Sequence, residues 1–481
     1  MFKRILIGIF MTLLTGCMTL GPDYQRPDID MPDSWRFEEK EAREMANTTW
    51  WEHFNDPVLN GLVETALNEN NDVLIATARV EEFFGRYFSV RGDRFPFIDA
   101  AGSASREGVT ENGPTPVPPG TDTTFDYYQA FLRGQWELDF WGKFRRANEA
   151  ARAELISTEE ARRTVVLTLV SAVASAYVEI LALDKQLDIT KRTAETRRQT
   201  LDLFQLQFDN GIIAEINVSQ AEAEYQDALA RIPEIELAVA RLENALSVLL
   251  GRNPGPIPRG VGIDGFILPE VPSGLPSDLL ERRPDIRAAE QALIAANARI
   301  GVAKSLYFPT ISLTGAFGAV SNDLSDLFTG KSQAWNVGVP VNIPIFTAGR
   351  IGGEVKGTEA FQKQTLYNYI QTVQNALREV DDALVLRLKS GQRLQNLANQ
   401  VKALKNYARL ARMRYDEGYT SYLEVLDAER SLFLVELSYT ESQNTLLRSL
   451  IDIYKSMGGG WVEAAEAEAL SQPVMEAGFI P

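Results

Sequence analysis

Three groups of residues have types and spacings that could do chemistry. The first is Cys17 with His53, the only cysteine and the only histidine among 481 residues. One thiol closes no disulfide within its own chain, and one thiol with one imidazole falls short of the usual metal ligand sets. Nothing local pairs them as nucleophile and base. The second is "GVGIDG", Gly260 to Gly265, which fits the phosphate-cradling G-x-G-x-x-G spacing. It follows "RNPGPIPR" and precedes "FILPEVPSGLP", so no strand enters it and no helix leaves it. A phosphate needs that helix N-terminus, and the match is read as chance. The third is "YLEVLDAER", where Leu423 and Asp427 lie four apart on one helix face. Glu424 stands three before Asp427 and Arg430 three beyond it. These charges read equally as a site or as a solvated helix face. No catalytic set, metal site or cofactor site is expected.

The residues before Cys17 give the thiol its role. Lys3 and Arg4 make a basic start, "ILIGIFMTLL" is an apolar run too short to span as a mature helix, and small residues follow. That is the layout of a secretory signal. Leu14, Thr15, Gly16 and Cys17 have the pattern of a bacterial lipobox, in which the cysteine is lipidated and becomes the mature N-terminus. Met18, rather than Asp, is the kind of residue that addresses such lipoproteins to the outer membrane.

Losing Lys3 and Arg4 with the signal leaves 46 basic residues against 65 acidic ones, a formal charge of −19. Such a balance disfavours nucleic acid as a partner.

The chain is written twice. Asp72 falls on Asp285 and Pro96 on Pro309, an offset of 213 residues. Lys143 falls on Arg350, Phe208 on Tyr415, Gly211 on Gly418 and Gly251 on Gly458, an offset of 207. The difference is absorbed opposite "EGVTENGPTPVPPGTDTT", a polar Pro- and Gly-rich stretch that reads as an exposed loop. A repeat this long means a duplicated domain rather than a solenoid.

Each copy has the same order of elements. A helix leads in and a Phe-Pro pair stops it. Strand-like runs follow. In "YYQAFLRGQWELDF", Tyr128, Ala130, Leu132, Trp136, Leu138 and Phe140 share one face, and Gln129, Arg133, Gln135, Glu137 and Asp139 the other. In "WNVGVPVNIPIF" the apolar face runs from Trp335 to Ile345, with Pro340 and Pro344 weakening the strand. Period two with one apolar and one polar face is the signature of a strand with lipid or core on one side.

Very long helices come next. No Gly or Pro lies between Gly142 and Gly211, and only Gly391 interrupts from Thr358 to Glu417. Val166, Val170, Val173, Tyr177 and Ile180 form a heptad seam, and Leu366, Ile370, Val373, Leu377, Val380 and Leu384 form its counterpart. Turns at Gly211 and Gly418 reverse the chain into shorter helices, the first of which Pro233 should kink unless it begins a new helix. "VVLTLVSAVASAYVEILAL" is apolar enough to cross a membrane, but its small residues, Glu179 and heptad step favour packing against other helices.

Two membrane-type strands per copy make four per chain. Open strand edges cannot sit in hydrocarbon, and membrane barrels start at about eight strands, so other chains must complete the sheet. Two chains give eight strands and three about twelve; strand counting permits both, but only the larger closure leaves an aqueous bore, and a dozen long helices round a tube favour three.

With "GPDYQRP", "WWEHFNDPVLNGLVETAL", "LLERRPDIRAAEQALIAANARIGVAKSLYFPTISLTG", "IPIFTAGR" and "YDEGYTSYLEVLDAERSLF", the chain resembles outer-membrane factors of the TolC family, in their lipoprotein branch. The resemblance covers nearly the whole chain. It implies a mainly α protein with membrane β structure, a homotrimer whose twelve-stranded β-barrel continues into a long periplasmic α-helical barrel. It further implies a passive exit duct in the outer membrane, fed by a periplasmic adaptor and an inner-membrane RND-type transporter. By resemblance Leu423 forms an apolar ring at the periplasmic gate, and Glu424 and Asp427 form acidic rings. Arg430, three beyond Asp427, is a candidate tether, and the Gly211 and Gly418 turns, which close the hairpins far from the membrane, are expected to touch the adaptor. Thr420 stands where some relatives place an arginine, removing that cation from any locking bond to the acids. A protein-secretion or metal-ion efflux duct of the same family and a non-channel coiled-coil lipoprotein are the alternatives.

The expected organisation is a signal peptide over 1–16, an anchor and extended segment over 17–56, a first repeat over 57–251, a linker over 252–275, a second repeat over 276–458 and a periplasmic tail over 459–481.

Overall fold

The computed structural model describes residues 19–32, 34–36, 49–110, 118, 120–267 and 276–458. The signal peptide, Cys17 and the tail over 459–481 lie outside the described residues, as does part of the linker.

Element boundaries recur at the two sequence offsets. Helix α1 (Pro57–Glu69) leads into α2 (Asn71–Gly92), strand β1 (Phe97–Gly108) and strand β2 (Thr124–Glu137). Helix α3 (Lys143–Asp209) and helix α4 (Glu215–Leu249) complete the first copy. After a single turn, α5 (Leu279–Arg282), the second copy has α6 (Pro284–Ser305), β3 (Thr310–Ser321), β4 (Gln333–Gly338) and β5 (Val341–Asn342). It closes with α7 (Arg350–Asp416) and α8 (Tyr422–Ser456). The pairs α2/α6 and β1/β3 are offset by 213 residues, and α3/α7 and α4/α8 by 207. Gly142, Gly211 and Gly251 have positive φ, and so do Gly349, Gly418 and Gly458 at the same offset. The left-handed backbone that ends or reverses each helix is therefore duplicated with the helices themselves.

The chain forms two compact units, and they are not the two copies. Of the described residues, one takes in those within 80–158 and 289–369 with the N-terminal stretch 19–28; the other takes in those within 29–79, 159–288 and 370–458.

The first unit holds an antiparallel sheet in the order β1-β2-β3-β4, with β5 paired to β3. Ala100 lies opposite Leu132, Leu132 opposite Phe317, and Phe317 opposite Trp335. Residues in register share a face, and the last three of this row are 54 %, 56 % and 72 % exposed. Ile98 and Val337 extend the same exposed apolar face. On the other face Gln129 donates to Ser103 Oγ at 2.7 Å. The run expected as one strand over 335–346 is broken: β4 stops at Gly338 and only Val341–Asn342 pair again. Pro340 and Pro344 lack the N–H that a ladder needs.

The N-terminal stretch is bolted to this unit. Tyr24 and Arg26 converge on Glu290 of α6, the arginine with two bonds of 2.6 and 2.8 Å. The buried Arg146 of α3 donates to Leu20 O and to Asp23. The "GPDYQRP" motif is thus a strap held by charge-assisted bonds.

In the second unit Val166, Val170, Val173, Tyr177 and Ile180 are all buried, packed with Trp50, Phe54, Leu59 and Val63. The long apolar run of α3 is helix-packing core here. Trp50 stacks on Tyr454 of α8 at 5.4 Å. In α7 the seam differs from the expected one: Leu366, Ile370 and Leu377 are half-buried, while Ala376 and Ala383 are buried with Val373, Val380 and Leu384. Close helix approach selects the small side chains over the larger ones beside them. Helix α4 runs on through Pro233.

"GVGIDG" is a structural tie. Asp56, fully buried, caps α1 through Val58 N and Leu59 N, and accepts from Tyr177 Oη and Val261 N. Gly260 N donates to Tyr177 Oη, and a Cβ at Gly260 would collide with Asp56 Oδ1. The glycine is required by the carboxylate beside it.

Candidate functional site

The candidate site is the pair of hairpin ends in the second unit. Each is closed by two backbone bonds of one kind. Gly211 N donates to Phe208 O and Ile212 N to Gln207 O; Gly418 N donates to Tyr415 O and Tyr419 N to Arg414 O. This is the Schellman ending, with φ of 72° and 76° at the two glycines. Beyond each glycine the copies present exposed apolar residues at equivalent positions, Ile212 and Ile216 in the first and Tyr419 and Leu423 in the second.

The polar groups then diverge. Leu423, Glu424 and Asp427 occupy the first turns of α8 where α4 has Ile216, Asn217 and Gln220. Glu424 accepts from Arg414 Nη1 at 2.9 Å and from Thr420 Oγ1, so the acid is tied to the end of α7 and to the turn. Thr420 thus supplies a bond from the position where its lack of charge argued against one, and Arg414 supplies the cation. Asp427 accepts from Tyr407 of α7 at 3.4 Å. The tether from Arg430 to Asp427 does not form. Arg430 Nε lies 3.9 Å from Glu224 of α4, because its long side chain reaches the neighbouring helix rather than back along its own. With its side chain 65 % exposed, that pair adds little stability.

Sequence reasoning missed the contacts that join the hairpins. Phe204 of α3 packs against Tyr422 of α8 and Tyr415 of α7, with Val218 and Ala221 of α4 beneath. Burial pushes the Tyr422 phenol up to about 12. Farther along, Arg197 of α3 donates to Glu224 O at 2.6 Å and pairs with the Glu224 and Asp227 carboxylates. Its guanidinium lies 5.3 Å from the centre of the Phe433 ring, and that of Arg231 lies 5.7 Å from it. The one sequence signal for these contacts is a break in the repeat: Phe204 stands where the second copy has Ala411.

Among the described residues no group of three or more His, Cys, Asp or Glu side chains is placed to hold a metal ion. The arrangement is one of charged and apolar positions at helix ends, suited to selecting or blocking solutes by charge and size.

A sequence model of the family described as "Outer membrane efflux protein" matches residues 62–252 and again 275–459. The chain is 34 % identical over 471 residues to the probable efflux pump outer membrane protein TtgC of Pseudomonas putida, covering 96 % of this chain and 97 % of that one. It is 35 % identical over 475 residues to the probable outer membrane lipoprotein SilC of Salmonella typhimurium, covering 96 % and 100 %. Its fold superposes on the crystal structure of the Campylobacter jejuni CmeC outer membrane channel with a TM-score of 0.89 and 25 % identity, covering 95 % and 99 %.

Proposed function

The chain belongs to the outer membrane efflux protein family, and from that membership we propose that it is the outer-membrane exit duct of a tripartite efflux system. Three copies close a twelve-stranded β-barrel, and their long helices build a periplasmic α-helical barrel. A periplasmic adaptor meets the hairpin ends and an inner-membrane transporter delivers drugs or other small toxic solutes. Solutes pass without chemical change, and Cys17 carries a lipid anchor in the same membrane.

The observation that carries this reading is the sheet. Its row Leu132, Phe317 and Trp335 is exposed and apolar, and within one chain β1 and β4 are end strands of the order. In hydrocarbon such edges must be paired, and one chain has too few strands to close on itself. Leu423 narrows the periplasmic end, and Glu424 and Asp427 set its charge.

Mass measurement of the purified protein in detergent, with current recording after reconstitution into planar bilayers, tests the reading. A trimer with discrete conductance is expected. A stable monomer that passes no current overturns it.

A further inference from the structure

Glu429 stands two residues beyond Asp427 on α8, and the gate described above does not use it. It lines a cavity of about 310 Å³ in the second unit with Arg192 and Arg197 of α3, Ala408 of α7, and Phe433 and Glu436 of α8. Among the described residues none is hydrogen-bonded to its carboxyl. The cations around it are committed elsewhere. Arg192 pairs with Asp188, Arg197 with Glu224 and Asp227, and Arg231 of α4 with Asp227. On α7, Lys405 pairs with Glu436 and Arg412 with Asp416. Tyr422, two turns back on the same face of α8, has a phenol that burial keeps protonated. Glu429 is the carboxylate these pairings leave over.

The cost of that position is visible in its acidity. Burial pushes the Glu429 carboxyl up, and Arg412 and Arg197 oppose this only in part. The duplicated chain contains its own comparison, since Glu222 holds the equivalent place on α4 and is exposed.

We propose that Glu429 is a proton-operated catch between the two helical hairpins. Uncharged, it lets α8 lie against α3 around the cavity; ionised, it demands water and favours withdrawal of α8 from α3. The packed form binds the proton more tightly than an opened form in which the carboxyl is hydrated. The catch therefore holds fully below the ordinary glutamate range and is released as pH rises through the raised value. Its consequence for conduction rests on the duct reading; the catch itself does not.

Hydrogen exchange of peptides spanning 422–436 in the detergent-solubilised protein, corrected for intrinsic exchange, reads the catch directly. Each unit of upward shift corresponds to about a tenfold change in the opened fraction. Wild type is expected to open several-fold more at about pH 7.5 than at about pH 4.5. Glu429→Gln should hold the slow, acid-like rate at both, and Glu222→Gln should behave as wild type. If Glu429→Gln does not assemble, Glu429→Met makes the same comparison. Retention of the wild-type pH dependence in either Glu429 variant overturns the proposal, as does a wild type without any. Bilayer conductance over the same range should fall on acidification in wild type and not in Glu429→Gln. A protein that never conducts defeats the duct reading while the exchange data still decide the catch.

Discussion

The ring of Phe204 stands edge-on to that of Tyr422, with centroids 4.5 Å apart and planes at 74°. Tyr415 closes the group, 5.5 Å from Tyr422. Phe204 belongs to the first hairpin and both tyrosines to the second, so this cluster is one place where the two copies grip each other. The equivalent position in the second copy is Ala411, packed with Val425 and Ala428. The second hairpin is thereby thin inside, and its tyrosines fill space beside the first.

Phe204→Ala should therefore loosen the hairpins without unmaking the sheet. Phe-to-Ala changes in a packed core cost about 3–5 kcal/mol, and the edge-on pairs add to the lower bound. Faster hydrogen exchange confined to 201–221 and 415–428, with the trimer intact, is the expected result. Ala411→Phe, the reverse exchange in the second copy, should destabilise by overpacking, about 1–3 kcal/mol.

The sheet offers a test of its two faces. Leu132→Arg puts a charge on the exposed apolar row, at a cost of about 2–4 kcal/mol if it lies at the midplane of the bilayer. Gln129→Arg, on the face where Gln129 meets Ser103, should cost well under half of that. Equilibrium unfolding from lipid vesicles measures both. Equal penalties would mean that the row does not face lipid.

Much of this fold was legible because duplication wrote it twice. The glycine pairs at an offset of 207 mark helix ends, since only a residue tolerant of φ near 72–94° serves there. The seam from Val166 to Ile180 was legible because β-branched residues at heptad spacing have few other uses. The seam of α7 was not: hydropathy points to Leu366, Ile370 and Leu377, while packing takes Ala376 and Ala383. Likewise "DAER" shows three charges in four residues, and nothing in their order tells that Asp427 meets Tyr407, Arg430 turns to Glu224, and Glu429 is left in a cavity. Local spacing fixes which residues share a face. Which neighbour lies across from that face depends on four helices at once.

The lipid anchor is tested outside the described residues. Cys17→Ser should abolish palmitate labelling and lower the amount of protein in the outer membrane. The strap through Tyr24, Arg26 and Glu290 does not depend on the acyl chain, so assembly should be reduced rather than lost. Wild-type labelling of the variant would remove the lipobox reading.

Gly418→Val should impair efflux while leaving the trimer in the membrane. At φ of 76° the backbone is one that a β-branched residue resists, yet open space surrounds the position, so the strain stays in the turn. Gly211→Val repeats the test in the first copy. Normal efflux with both glycines replaced would show that the turns do not meet the adaptor.

The gate carries the sharpest comparison, because the first copy supplies a matched control. In the proposed gate three chains would bring three Glu424 and three Asp427 side chains towards one axis, and like charges that close repel unless cations or donors intervene. Glu424 has Arg414 and Thr420 as donors, and among the described residues Asp427 has only the long bond from Tyr407. Asp427 is therefore expected to dominate cation selectivity and block by divalent ions, as acidic rings do in other pores. Glu424→Ala with Asp427→Ala should weaken both in planar bilayers, and Asp427→Ala alone should account for most of the loss. Asn217→Ala with Gln220→Ala, the same positions in the first copy, should change neither. Arg414→Ala frees the Glu424 carboxylate and should strengthen divalent block. Identical currents from the two double variants would mean that the acids are an ordinary solvated helix face.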